Sequence, residues 1–347
     1  MREAYAKERD AIREKIVEAK KPADNIDITS AIVRSRSILG DYVNLDWKHR
    51  GDIISLVNRI CGYAEDASRT RPLNVIMQAE PGSGKSHFIK CLARSFRLRS
   101  IVGAVTFNMS GMQSMEDLIQ PLEAVRNLKV LDKTPILFLD EFDSKESNYA
   151  LLLPLLWDGE LHIGHQDLKT GKIVIILAGS GQSIQDAMKD AKAMQKPTVR
   201  SSKLVDLLSR INGGEFSIPD LDEVSDERDR RTDKVCIAVT LLKNRYGESL
   251  ETIPWSLLHF IALTRFRYGV RSITHLIELL PAPDETNKTV SVDKLPLGSL
   301  SKLKGSSLAY HLVNDDGPAA LASDWETFSA YEAAVTVAEK EEDEIPF

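Results

Sequence analysis

The chain has 347 residues, 43% of them hydrophobic and 28% charged, and a formal net charge of −6. That length buries a sizeable core and ordinarily divides into two domains. The acidic balance excludes a protein whose whole surface coats nucleic acid, although it leaves room for a local basic patch. Cys61, Cys91 and Cys236 form no C-x-x-C pair, which points to a reducing compartment and away from a zinc site. No apolar stretch approaches the roughly 18 residues of a membrane span, and the charged start Met1 to Glu8 does not read as a secretory signal. A cytoplasmic protein that makes no membrane contact is expected.

Residues 2 to 20, rich in Glu, Lys, Arg and Ala, stop before Pro22 and read as a helix with a thin stripe of Tyr5, Ile12 and Ile16, or as a solvated arm. A second helical region spans Ala31 to Tyr63, with Ile53, Ile54, Val57 and Ile60 at helical spacing. Within it, Leu39-Gly40-Asp41-Tyr42 is a candidate cover for an adenine ring. Leu73 to Met77 then reads as a buried strand, followed by Ala79-Glu80-Pro81-Gly82-Ser83-Gly84-Lys85-Ser86 and a helix. Strand, Gly-rich turn and helix start are the parts of a phosphate-binding loop, in which backbone N–H groups and the helix dipole face a polyphosphate. Lys85 reaches the β- and γ-phosphates in this reading, and the Ser86 hydroxyl holds Mg²⁺. Ala79 stands where the usual pattern has its first Gly, which Ala satisfies wherever φ is negative. The nucleotide-binding set is Glu80, Pro81, Gly82, Ser83, Gly84, Lys85, Ser86 and His87, with Asp140 below.

A strand over Val102 to Phe107 leads into a Met-bearing turn, Asn108 to Gln113. Those methionines either fill gaps or touch a threaded substrate. Ser114 caps the helix that starts Met115-Glu116-Asp117-Leu118. Pro135 to Leu139 is an apolar run ending in Asp140-Glu141. Asp140 at the strand end would hold the Mg²⁺ shell, and Glu141 would polarise an attacking water. A helix carrying Leu151, Leu152, Leu155 and Leu156 ends at Asp158-Gly159, and a hairpin over Leu161 to Lys172 leads into a strand at Ile173 to Ala178. His162 and His165 have ligand-like spacing, but no third ligand is near them. Beyond the strand end, Ser180 is nominated to lie beside the γ-phosphate, with Gln182 second.

Residues 184 to 203 are polar and Lys-rich and read as an insertion. Lys203 to Ile211 forms a short helix with Arg210 at its end, ahead of Gly213-Gly214 and a strand at Glu215 to Ile218. From Asp226 to Leu280 the pattern is wholly helical, with three apolar faces, and Arg271 falls in the first turn of the last helix. A cation there opposes the helix dipole, a local cost that a bound phosphate offsets. Later residues offer Leu300 to Leu312 and a last helix near Asp324 to Val337, then an acidic run ending Ile345-Pro346-Phe347.

Taken together, these elements resemble an AAA+ ATPase from roughly Ile38 to Leu280. Ala79 to Ser86 resembles the Walker A motif, Ile136 to Glu141 the Walker B motif, and Ser180 the sensor-1 position. Leu207 to Arg210 resembles the arginine-finger helix, and Gly269-Val270-Arg271 the sensor-2 motif. The Leu151 to Gly171 segment, with Trp157 to Leu161, is also similar to the stretch before sensor 1 in Clp-type unfoldases, although no aromatic-Gly pore motif follows the second strand. The resemblance implies an α/β fold, a P-loop αβα sandwich with a parallel sheet, followed by a helical lid. Its divisions would be an N-terminal arm over 1–37, the nucleotide domain over 38–224, the lid over 225–281 and an extension with an acidic tail over 282–347.

It also implies ATP and Mg²⁺ as cofactors and a homo-oligomeric ring of about six subunits. Lys85, Ser86, Asp140, Glu141, Ser180 and Arg271 would act in one subunit, with Arg210 inserted from the next. The expected activity is ATP hydrolysis that remodels a protein or nucleic-acid strand. The alternative is an ATP-gated assembly protein of a bacterial defence or mobile-element system. A P-loop kinase fits the acidic pair and the two arginines less well. The tail is similar to the acidic Pro-Phe tip of bacterial single-stranded-DNA-binding proteins, which would make it either a site for a partner protein or a solvated end.

Overall fold

The computed structural model describes residues 25–26, 39, 42–44, 46–95, 98–163, 166–179, 199–222, 227–247, 250, 253–282, 290 and 305–313. The expectations for residues 2–20, His165, Ser180, Gln182, most of 184–203 and the acidic tail lie outside them. Contacts divide the chain into two units, Ile38–Tyr42 with Lys48–Pro219, and Met1–Ser37 with Val43–Trp47 and Asp220–Phe347.

The elements leading through the first unit are α1 (Trp47–Glu65), β1 (Leu73–Gln78), α2 (Lys85–Arg94), β2 (Val102–Asn108), α3 (Ile119–Val130) and β3 (Thr134–Asp140). They continue with α4 (Ser147–Asp158), β4 (Glu160–Ile163), β5 (Gln166–Lys169), β6 (Val174–Gly179), α5 (Val199–Leu208) and β7 (Glu215–Ser217). Five of the strands form one sheet in the order β2-β3-β6-β1-β7, and every neighbouring pair is parallel. Parallel neighbours require a crossover between successive strands, and the helices supply it on both faces.

The side-chain period of two sorts the apolar runs. Val75, Met77, Ile136, Phe138, Val174 and Ile176 face α1 and α2 through Ile53, Ile60, Phe88 and Leu92. Ile76, Leu137, Leu139, Ile175 and Leu177 face α3, α4 and α5 through Leu122, Val125, Leu152, Leu155 and Leu207. Strands buried on both sides read as continuous apolar runs, which is why β1, β3 and β6 were visible in the sequence. The β4–β5 hairpin is antiparallel. Gly159 ends α4 at φ 67, as its position after Asp158 predicts.

A polar side chain of β1 lies inside this core. Asn74 is fully buried, and its Nδ2 donates to Leu156 O at 2.7 Å and Arg210 O at 2.8 Å. Its N–H meets Asn212 Oδ1 at 2.7 Å, and its carbonyl accepts from Gly213 N at 2.7 Å. A Cβ on Gly213 would come within 2.6 Å of Asn74 O, so the approach of the α5–β7 turn to β1 needs glycine there.

Of the helical region expected over Ala31 to Tyr63, the described helix is α1, from Trp47; residues 31–38 lie outside the described residues. Asn44 Oδ1 accepts from Asp46 N at 2.8 Å, an Asx turn that competes with helix just ahead of α1.

The second unit contains α6 (Glu227–Tyr246), α7 (Trp255–Leu263) and α8 (Gly269–Glu278). Its three expected faces meet in one core: Val235, Val239 and Leu242, then Leu257 and Ile261, then Ile273, Leu276 and Ile277. Lys234, 2% exposed, sits in this unit with Nζ 2.6 Å from Asp222 Oδ1 and 2.8 Å from Thr264 O. Burial pushes its pKa down, and Asp222 opposes that shift.

The region is not wholly helical. Ile253–Pro254 pairs antiparallel with Asn25–Ile26, a partner more than two hundred positions away that no local pattern signals. A second short contact docks residues 305–313: Phe266 bridges Leu312, and Arg267 N donates to His311 O at 2.8 Å. His311 stacks on His275 of α8 with ring centroids 4.2 Å apart. Of the stretch Leu300 to Leu312, residues 305–312 are described, and they contain a short 3₁₀ turn, Ser307–His311.

Two expectations follow. Asn74→Ala removes both side-chain bonds from a buried site and leaves two carbonyls short of a donor, so it should cost about 2–3 kcal/mol in chemical denaturation. His311 has its pKa lowered by burial, by His275 and by Arg271. A base with a depressed folded pKa stabilises the fold above its unfolded value, about 6.5, and that contribution is lost as pH falls from there towards the folded value. Amide exchange at Arg267 and Val313 should therefore quicken below about pH 6.5 relative to exchange in α7.

Candidate functional site

The site grows from the C-terminal edge of the parallel sheet. Register sets Gln78 opposite Gly179, Asp140 opposite Ala178, and Asn108 opposite Asp140. In an open α/β sheet this edge is where crossover loops leave room for a ligand. The loop Ala79 to Gly84 leaves β1 here, with Gly82 at φ 89 and Gly84 at φ 91. Ala79 is not among the residues with positive φ, so its departure from the glycine pattern is accommodated.

Gly84 is the N-cap of α2 and gives that helix no side-chain cap. The helix start thus presents backbone donors and the positive end of its dipole to the loop. Ser83 Oγ is buried in the loop without a hydrogen-bond partner, and Lys85 Nζ curls back to Ala79 O at 3.2 Å. An orphaned hydroxyl, an uncapped helix start and an ammonium around a glycine-rich turn fit a polyphosphate. Glu80 and Pro81 form the exposed outer rim of the loop, and the Glu80 carbonyl accepts from Ser83 N.

The acidic pair closes the other side. Ser86 Oγ lies 3.5 Å from Asp140 Oδ2, and Glu141 N donates to Asp140 Oδ1 at 3.1 Å. Burial raises the Asp140 pKa and the neighbouring Glu141 raises it further, whereas Lys85 pulls it down. A carboxylate burdened in this way gains from a second cation, and the Ser86–Asp140 pair offers the oxygen donors that Mg²⁺ prefers. Glu141 is exposed and left-handed, φ 54 and ψ 39, which for a non-glycine residue is a strained turn. The turn separates the two carboxylates: Asp140 is half-buried at the sheet edge, and Glu141 projects into solvent.

The structure thus brings together the loop from Glu80 to Gly84, Lys85, Ser86, Asp140 and Glu141. His87 follows on the exposed side of α2, 3.5 Å from Cys91 Sγ, with its ring 6.4 Å from that of Tyr42. Tyr42 packs edge-on against Phe88 of the loop helix at 5.0 Å, and Leu39 is buried in the same core; Gly40 and Asp41 of the candidate adenine cover lie outside the described residues.

Arg210 is not part of this cluster. It follows α5 and is held beside Asn74 near the start of β1, whereas the loop leaves the end of that strand. Arg271 is exposed in the first turn of α8, within the second unit. Met109 and Met112 are buried, 0% and 4% exposed, among Leu139 and Phe142. They are gap-fillers, and the substrate-contact reading of that loop is corrected for these two residues. His162 pairs with Asp167 at 2.6 Å, and no metal-binding group of three or more His, Cys, Asp or Glu occurs among the described residues. No described helix is long and apolar enough to cross a membrane.

Sequence reasoning passed over Asn108. Register sets it beside Asp140, and its Oδ1 accepts from Ser110 N at 2.8 Å. The available signal was a polar residue at the end of a β-branched strand. Trp157, half exposed and beside the Arg71 and Arg210 guanidinium groups, was also missed as a neighbour of Arg210.

Residues 75–180 match the model of the ATPase family associated with various cellular activities, AAA. Among solved structures, the chain is similar to the S. cerevisiae Hsp104-ADP complex, at 15% identity and TM-score 0.47, covering 71% of this chain and 46% of that one. It is also similar to NtrX from Brucella abortus with ADP, at 19% identity and TM-score 0.46, covering 71% and 53%. For NtrX with ATP the values are 18% identity and TM-score 0.47, covering 79% and 60%. The chain therefore spans about half the length of these structures. No curated protein matches it.

The loop geometry makes a local prediction. A Cβ on Gly84 would meet nothing within 4 Å, so only φ +91 opposes a side chain. Gly84→Ala should cost about 1–2 kcal/mol by thermal or chemical denaturation. Gly51→Ala, in open space on α1, should be neutral or stabilising by up to about 1 kcal/mol.

Proposed function

We propose that this chain, which belongs to the AAA family of ATPases through residues 75–180, binds ATP with Mg²⁺ at the β1–α2 loop and hydrolyses it at a site shared between copies. The observation that carries the reading is the convergence of Lys85, Ser86 and Asp140 at one sheet edge, with Ser86 Oγ 3.5 Å from Asp140 Oδ2 and Glu141 turned outwards. Backbone N–H groups of Gly82 to Ser86 cradle the phosphates, and Lys85 leaves Ala79 O to meet their charge. Ser86 and Asp140 hold Mg²⁺, whose chemistry is to neutralise charge on the phosphate oxygens. Glu141 orients and deprotonates the attacking water. Ser180, beyond the end of β6, is assigned to the γ-phosphate, and Arg271 to the phosphates from the lid.

Arg210 serves a neighbouring copy. Its attachment near the start of β1 supports this, because the arginine sits towards the opposite end of the strand from its own loop. Such a site is incomplete in one copy, so a homo-oligomeric ring of about six is the assembly we assign. Remodelling of a protein or nucleic-acid strand is the output, driven by ATP hydrolysis.

ATP hydrolysis and assembled mass, measured for wild type and Glu141→Gln, test the reading. The wild type should hydrolyse ATP, and the variant should lose on the order of a hundredfold or more in kcat while ATP still drives it into an oligomer. A wild type that neither hydrolyses ATP nor assembles with it would overturn the proposal.

A further inference from the structure

Arg210 is held by more than its own helix. Nη1 donates to Leu153 O at 2.6 Å, Nη2 lies 3.7 Å from Asp206 Oδ1, and Cζ stands 5.9 Å from the centre of the Trp157 ring. The backbone is fixed as well, since Asn74 Nδ2 donates to Arg210 O and Arg210 N to Leu207 O. Leu153 and Trp157 are four residues apart on α4, so one helix face supplies both the carbonyl and the ring. Arg71 lies closer to the same ring, 4.5 Å from its centre. Trp157 is 46% exposed, a large indole kept at the surface beside two guanidinium groups that repel one another.

A guanidinium has five N–H donors in a rigid fork, and the bond to Leu153 uses one of them. The group can therefore stay attached to α4 and still donate to an incoming anion. An arginine free to sample its rotamers loses that freedom when it engages a ligand, and one already oriented loses less. The cation–π contact orients without consuming donors, because it acts through the ring face.

We propose that Trp157 is a positioning residue for Arg210: with Leu153 O, its ring pre-orients the guanidinium for the phosphates held by a neighbouring copy. This rests on the reading of Arg210 as acting in trans. Arg71, nearer the ring, holds the indole in place from its own position ahead of β1.

The test is steady-state ATP hydrolysis by the full chain, comparing wild type, Arg210→Ala, Trp157→Ala and Trp157→Phe. Trp157→Ala should lower kcat about tenfold with KM for ATP within about twofold, and Trp157→Phe, which keeps a ring, should recover most of the loss. Mixing Trp157→Ala with Glu141→Gln copies separates positioning from misfolding. Glu141→Gln copies carry an intact Arg210 and Trp157, so the mixture should hydrolyse more ATP than the sum of its parts. A lowered kcat with no gain on mixing would place the effect of Trp157 within its own subunit and overturn the inference. So would wild-type kcat in Trp157→Ala alongside an inactive Arg210→Ala. Wild-type rates in Arg210→Ala would instead overturn the trans reading on which the inference rests.

Discussion

A parallel sheet sends every strand in the same direction, and the candidate site depends on that constraint. Each strand must be followed by a crossover, so the turns that leave β1, β2, β3 and β6 gather at one edge. The register then decides which side chains meet there. Asp140 falls between Ala178 and Asn108, close enough to Ser86 for a weak hydrogen bond and to Lys85 for its charge to be felt. A one-residue slip of β3 would turn Asp140 to the other face and leave the loop without its acidic partner. The electrostatics are unfinished in the protein alone: a half-buried carboxylate beside another carboxylate is disfavoured as an anion, and one ammonium offsets only part of that burden.

The far end of the same strand is organised by Asn74. A buried amide is costly unless it is bonded, and this one donates to two carbonyls from separate segments, one in α4 and one after α5. Its own Oδ1 is buried without a partner, so the gain is in specificity of arrangement more than in bond count. The strand that carries the glycine-rich loop at one end carries the attachment of Arg210 at the other.

Much of this was legible in the sequence because the signals were local. The apolar runs of β1, β3 and β6 mark strands buried on both faces, the Gly82 and Gly84 spacing marks the turn, and the helices of the second unit announce their faces by periodicity. What escaped was set by distance along the chain. The carbonyl that receives Arg210 lies 57 positions earlier, and no window around Arg210 contains it. Met109 and Met112 were ambiguous because composition cannot tell a filler from a contact surface; only the packing against Leu139 and Phe142 decides. The Asx turn at Asn44, just ahead of α1, was not marked by the hydrophobic spacing. Asn25–Ile26 found its partner in a region whose pattern is otherwise helical.

That last pairing has a consequence for biosynthesis. Asn25 and Ile26 emerge from the ribosome long before Ile253 and Pro254 exist to receive them. At about 5–20 residues per second, the wait is on the order of ten seconds or more. Closing so long a loop adds little entropy beyond a shorter one, because the cost grows only logarithmically with length. The delay is therefore a matter of translation timing more than of equilibrium, and Asn25 and Ile26 must wait for Ile253 and Pro254 while the parallel sheet is already being made.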